Sequence, residues 1–152
     1  MTDFKPRFFS SDAEVAHIGE GLLACSLPRG EWTHEAHLAA TTYLLLRCPE
    51  VDLDYALPGL IRRYNESVGG VNSDSEGYHE TITRVYLYGV RLFLSDTKLQ
   101  EPLWKLVNRL LLSPMGLRDW PLRFYSRDRL LSTEARLKFV RPDIAELPST
   151  RS

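Results

Sequence analysis

Cysteine is scarce in this chain: Cys25 and Cys48 are the only two among 152 residues. Two thiols in a chain of this length do not make a disulfide framework. Each lies within or at the end of an apolar helical stretch, where a free thiol packs as a small hydrophobe. A reducing, cytoplasmic setting is the expectation. Charge of one sign is lacking too. Nineteen Lys and Arg face 20 Asp and Glu, for a net charge of −1. No overall basic excess exists to release counterions from a nucleic acid, so none is expected as a partner. Long hydrophobic runs are missing as well. A stretch such as Tyr43 to Leu46 is far too short for a bilayer, and residues 1–10 hold no apolar run of signal-peptide length. Neither a membrane nor export is expected. There is no strand alternation with hairpin turns, no glycine-rich phosphate loop, no nucleophile elbow and no Cys-x-x-Cys pair.

What is present has helical period. The length suits one domain, read as 1–152, with 1–10 and 143–152 loosely held. A first helix is expected from Ser11 to Cys25, with Ser11 or Asp12 as its cap and Val15, Ile18, Leu22 and Leu23 as its apolar stripe. A second runs from Thr33, a candidate N-cap, to Arg47 before Pro49. A third spans Asp54 to Val68, with Pro58 near its first turn and Leu57, Leu60, Ile61, Tyr64 and Val68 inward. Gly69-Gly70 breaks it. A fourth extends from Tyr78 to Leu94 and a fifth from Gln100 to Leu112. Short helices over 121–125 and 133–139, the latter capped by Ser132, lead to an extended tail from Arg141. The expectation is an all-α fold, a bundle of four or five long helices with a short-helix and extended C-terminal wrap.

Three of the four histidines fall in two clusters. In Trp32-Thr33-His34-Glu35-Ala36-His37-Leu38, His34 and His37 stand at i and i+3, so both imidazoles project from one helix face. In Tyr78-His79-Glu80-Thr81, another imidazole and a carboxylate open a helix. If the two helices adjoin, His34, His37 and His79 could hold one divalent ion, with Glu80 as fourth ligand, orienter or general base. Zinc, iron, nickel and manganese all suit such donors. Glu31-x-x-His34 and Glu76-x-x-His79 also carry the spacing of carboxylate-bridged dimetal bundles, a minor alternative. Against both stands the plain reading, in which these imidazoles cap backbone N–H groups or bond to neighbours.

Trp32, Tyr78 and Asn65 are candidate walls of a ligand pocket. Trp32 could equally staple onto the second helix, and Asn65 could simply close the third. His17 is read as a surface residue. Arg118, Arg123, Arg127, Arg129 and Arg136, interleaved with Trp120, Phe124 and Tyr125, could bind an anion. The interspersed Asp119, Asp128 and Glu134 favour ordinary ion pairs instead.

Trp32, His34, His37 and Leu38, followed about forty residues later by Tyr78 to Thr83, resemble motifs of an uncharacterised family of short bacterial helical proteins. Tyr125-Ser126, Leu130, Ser132, Ala135-Arg136, Phe139 and Pro142-Asp143 are similar to that family's ending. The resemblance implies a bacterial source and that His34, His37, His79 and Glu80 belong together, but no activity. A looser, fold-level analogy is to DinB-like four-helix bundles, which place three histidines around one metal. The leading expectation is therefore a small metal-dependent protein acting on a small molecule. The alternatives are a metal-free module for an anionic small molecule, and a structural or oligomerising protein, for which a homodimer is conceivable.

Overall fold

The computed structural model describes residues 7–149, and among them every regular element is helical. Five helices have ten residues or more: α1 (Asp12–Ala24), α2 (His34–Arg47), α3 (Leu53–Ser67), α4 (Glu80–Ser95) and α5 (Leu103–Leu112). Two short helices follow, α6 (Arg127–Leu130) and α7 (Thr133–Leu137). Single 3-10 turns lie at Arg29–Glu31, Pro114–Gly116 and Trp120–Arg123.

The caps expected from sequence do start the helices. The hydroxyls of Ser11, Thr33 and Ser132 accept the N–H groups of Glu14, Ala36 and Ala135 at 3.2, 3.1 and 3.1 Å, satisfying donors that the first turn leaves without helical partners. Trp32 precedes the Thr33 cap and stacks on His37 in the second turn, ring centroids 3.8 Å apart. This is the staple geometry, with an imidazole as the receiving surface. At the other end of α1, Cys25 takes a left-handed conformation (φ +55°). Ser26 N–H then reaches back to the Gly21 carbonyl at 2.9 Å. The closure is a Schellman turn with cysteine where glycine is usual.

Pro58 stands later in its helix than the sequence reading placed it. With α3 starting at Leu53, it is the sixth residue, beyond the first turn. Its missing N–H leaves the Asp54 carbonyl without a helical partner. Arg84 of α4 donates to that carbonyl at 2.7 Å. Arg91, two turns along α4, donates to the Asp54 carboxylate at 2.8 Å. The helix defect thus becomes the place where α3 is tied to α4.

Helix α2 packs on α1, α4 and α5. Helix α4 feeds three apolar clusters from different faces. Leu87 joins α1, α2 and α3; Val90 and Phe93 meet α5; Val85 meets Trp120, Phe124, Tyr125 and Leu130. Gly89 lets the last of these approach, since a Cβ there would stand 2.6 Å from the Trp120 ring.

The two ends of the chain are fastened where they are described. Asn108 donates to the Phe9 carbonyl and accepts from its N–H, both at 2.9 Å. Asp143 accepts from Ser126, and Ile144 N–H donates to the Phe124 carbonyl at 2.9 Å. Tyr88 donates to the Pro148 carbonyl. The loose ends expected over 1–10 and 143–152 are therefore held over 7–10 and 143–149 by these bonds; 1–6 and 150–152 lie outside the described residues. No helix among the described residues is long and apolar enough to cross a membrane.

Candidate functional site

The first turns of α2 set His34 and His37 on one face, as their spacing requires. His34 donates from Nε2 to the Gly116 carbonyl at 2.8 Å. His37 donates from Nδ1 to the Thr33 carbonyl at 2.7 Å. Because both partners are carbonyls, each ring spends its one N–H there and keeps a lone pair on its other nitrogen: Nδ1 of His34, Nε2 of His37. Burial pushes both imidazoles toward the neutral form, His37 down to about 4. No fully buried side-chain nitrogen or oxygen among the described residues lacks a partner. His37 Nε2 has none among the described residues, so it opens on accessible space.

His37 lines a cavity of about 330 Å3 between α2, α3 and α4. Leu57 and Ile61 of α3, Ile82 and Leu87 of α4, Leu22 and Leu38 form its apolar lining. Trp32, His34, His37, Thr41, Thr83 and Tyr86 supply the rest. Thr41 donates to the His37 carbonyl at 2.8 Å and Tyr86 to the Leu117 carbonyl at 2.6 Å. Burial raises the Tyr86 hydroxyl well above the usual phenol range, so it stays protonated. The cavity is mainly apolar, with neutral polar side chains in its wall.

His79 is elsewhere engaged. It is the N-cap of α4, its Nδ1 accepting from Ile82 N–H at 3.1 Å while Nε2 donates to the Leu130 carbonyl at 2.8 Å. Both nitrogens are spent in one neutral tautomer, and His79 does not line the cavity. Glu80 accepts from the Tyr78 hydroxyl at 2.5 Å and pairs with Arg84 at 3.2 Å. The expected set of His34, His37, His79 and Glu80 is thus divided: two residues face the cavity, one caps a helix and one joins the α3–α4 ion pairs. Among the described residues, no three His, Cys, Asp or Glu side chains are grouped to hold a metal ion. The dimetal spacing divides in the same way, since Glu31 pairs with the exposed His17 at 2.9 Å.

Of the expected pocket walls, Trp32 lines the cavity. Tyr78 is buried under Arg62, whose guanidinium lies 4.7 Å from the ring centroid, and lines neither this cavity nor the next. Asn65 lines a second cavity, behind the Trp32–His37 stack. Three of the five arginines of 118–136 have separate partners. Arg129 and Arg136 donate to the carbonyls of Arg141 and Gly77 at 2.6 and 2.8 Å, and Arg118 reaches the buried Glu35 at 3.6 Å. Glu134 pairs with Lys138 rather than with an arginine.

The sequence reading missed Thr41, Thr83 and Tyr86 as cavity residues. Thr41 is one turn beyond His37 on the same face, and Thr83 and Tyr86 are spaced by three on α4, so periodicity carried the signal. It could not say that the two faces stand apart around a space. A scan of protein-family models and searches of curated proteins and of solved structures found no match to this chain.

Proposed function

We propose that this chain is a binding protein for a small, largely apolar molecule that carries one hydrogen-bond donor, held in a bundle of the five longer helices. The observation that carries the reading is the unpartnered Nε2 of a neutral, half-buried His37 that lines a mainly apolar cavity. The volume of about 330 Å3 lies within the range of small-molecule sites, and an apolar cavity of roughly half that size takes up benzene. The lining supplies burial for the body of the ligand. His37 supplies the acceptor that fixes its orientation, and Thr41 and Thr83 also line the cavity. An anion is poorly served, since no cation lines this cavity.

Calorimetric titration of the protein at pH 7.5 with phenol and with toluene tests the reading. Phenol should bind about tenfold more tightly, the worth of one buried hydrogen bond. The gap should close in His37→Phe, which keeps a ring against Trp32 and deletes the lone pair. Equal affinity of the two probes for the native protein, or an unchanged gap in the variant, defeats the proposal. So does stoichiometric zinc, iron, nickel or manganese in the purified protein that disappears with His37→Phe.

A further inference from the structure

The Trp32–His37 stack has a second side. Behind it lies another cavity, of about 430 Å3, closed by the end of α3 and the loop over 70–77. Its character differs from the first. Tyr64, Val68 and Val71 give it an apolar floor next to Trp32, whose ring lies 5.3 Å from that of Tyr64. Arg29 and Glu76 stand at its edge with opposite charges. Among the described residues neither side chain has a hydrogen-bond or ion-pair partner, and they do not pair with each other. Three neighbouring charges are spent elsewhere: Glu31 on His17, Glu66 on Asn72, and Arg136 on the Gly77 carbonyl.

An unpaired guanidinium and an unpaired carboxylate lining one concave site beside Trp32 match a ligand carrying the reverse pair. A lone anion would meet Arg29 and be opposed by Glu76; a lone cation would suffer the converse. A zwitterion satisfies both. The planar fork of Arg29 suits a carboxylate, and Glu76 accepts from an ammonium. The half-buried Trp32 ring, with Val68 and Val71 beside it, offers a surface for an apolar or aromatic group.

We propose that this second cavity is a site for a free α-amino acid with an aromatic side chain, its carboxylate on Arg29 and its ammonium on Glu76. It is distinct from the cavity between α2, α3 and α4, and shares with it only the Trp32–His37 wall.

The test is titration of the whole chain at pH 7.5 with L-phenylalanine, phenethylamine and 3-phenylpropionate. L-Phenylalanine should bind at least about tenfold more tightly than either analogue, each of which lacks one charged contact. Arg29→Gln should lower L-phenylalanine to the level of phenethylamine, and Glu76→Gln to that of 3-phenylpropionate. Both positions are exposed, so both variants should keep the native melting temperature and the native affinity for phenol. That last readout separates this site from the first: failure of phenol binding strikes the reading of the first cavity alone. Equal binding of the three probes, no binding of L-phenylalanine, or an effect below twofold in both variants overturns the proposal.

Discussion

At the scale of single residues, histidine shows how neighbours choose a role for one chemistry. His17 is an exposed ion-pair partner, His34 and His37 offer lone pairs to a cavity, and His79 is a cap. The assignment of His79 makes a sharp prediction. His79→Ala removes the acceptor for Ile82 N–H and the donor to the Leu130 carbonyl, so it should cost about 2 kcal/mol, a cap plus one net hydrogen bond. His79→Asn should recover roughly half, because asparagine caps well but is too short to reach Leu130. Urea unfolding measures both. An alanine variant as stable as the parent, or an asparagine variant less stable than the alanine one, would show that the imidazole is not structural.

At the scale of elements, α4 joins three apolar clusters, and two glycines test that arrangement against each other. Gly89→Ala puts a Cβ 2.6 Å from the Trp120 ring, so Trp120 or the turn carrying it must shift. The overpacking should cost about 1–3 kcal/mol, more than the helix-propensity gain of roughly 1 kcal/mol returns. Gly59→Ala in α3 meets nothing within 4 Å and should stabilise by about 0.5–1 kcal/mol. Thermal or urea unfolding of the pair reads the sign of each, and a stabilising Gly89→Ala would contradict the close approach. The five long helices, their order and the caps of α1, α2 and the short α7 were legible from apolar spacing and from Ser11, Thr33 and Ser132. The pairing of Arg84 with the carbonyl freed by Pro58 was not, because nothing local to Pro58 says which helix lies beside it.

At the scale of the whole molecule, three histidines that partial or full burial holds toward the neutral form set the response to acid. Burial lowers His34, His37 and His79 below the ordinary value of 6.5, His37 to about 4. The unfolded chain takes up these protons near pH 6.5, whereas the folded chain resists them until lower pH. Stability is therefore full above pH 6.5, falls as the pH drops from there toward 4, and stops falling on this account once the folded rings protonate. A tenfold difference in proton affinity between the folded and unfolded chain is worth about 1.4 kcal/mol, so His37 alone accounts for a few kcal/mol at most. Asp54 and Asp143 are held below 3.8 by Arg91 and by Ser126, so their contribution is lost in a separate, more acidic window. The urea midpoint should decline steadily between pH 6.5 and 4.5 and less steeply in His37→Phe. A flat native profile over that interval would mean that the imidazoles are not buried neutral.

The sequence by itself determined the long helices, the starts of α1, α2 and α7 and the face each long helix turns inward, because apolar period and capping chemistry act over a few neighbouring residues. It also put His34 and His37 on one face, since i and i+3 leave no choice. What the tertiary structure decided was which groups those residues would meet. Leu130 and Gly116 arrive from 51 and 82 residues away to take the N–H of His79 and of His34. The faces of α2, α3 and α4 stand apart around His37, and their separation depends on side chains packed elsewhere in all three clusters. Local rules fix which way a side chain leaves its helix; only the packed whole fixes whether a carbonyl, a ring or an open space waits there.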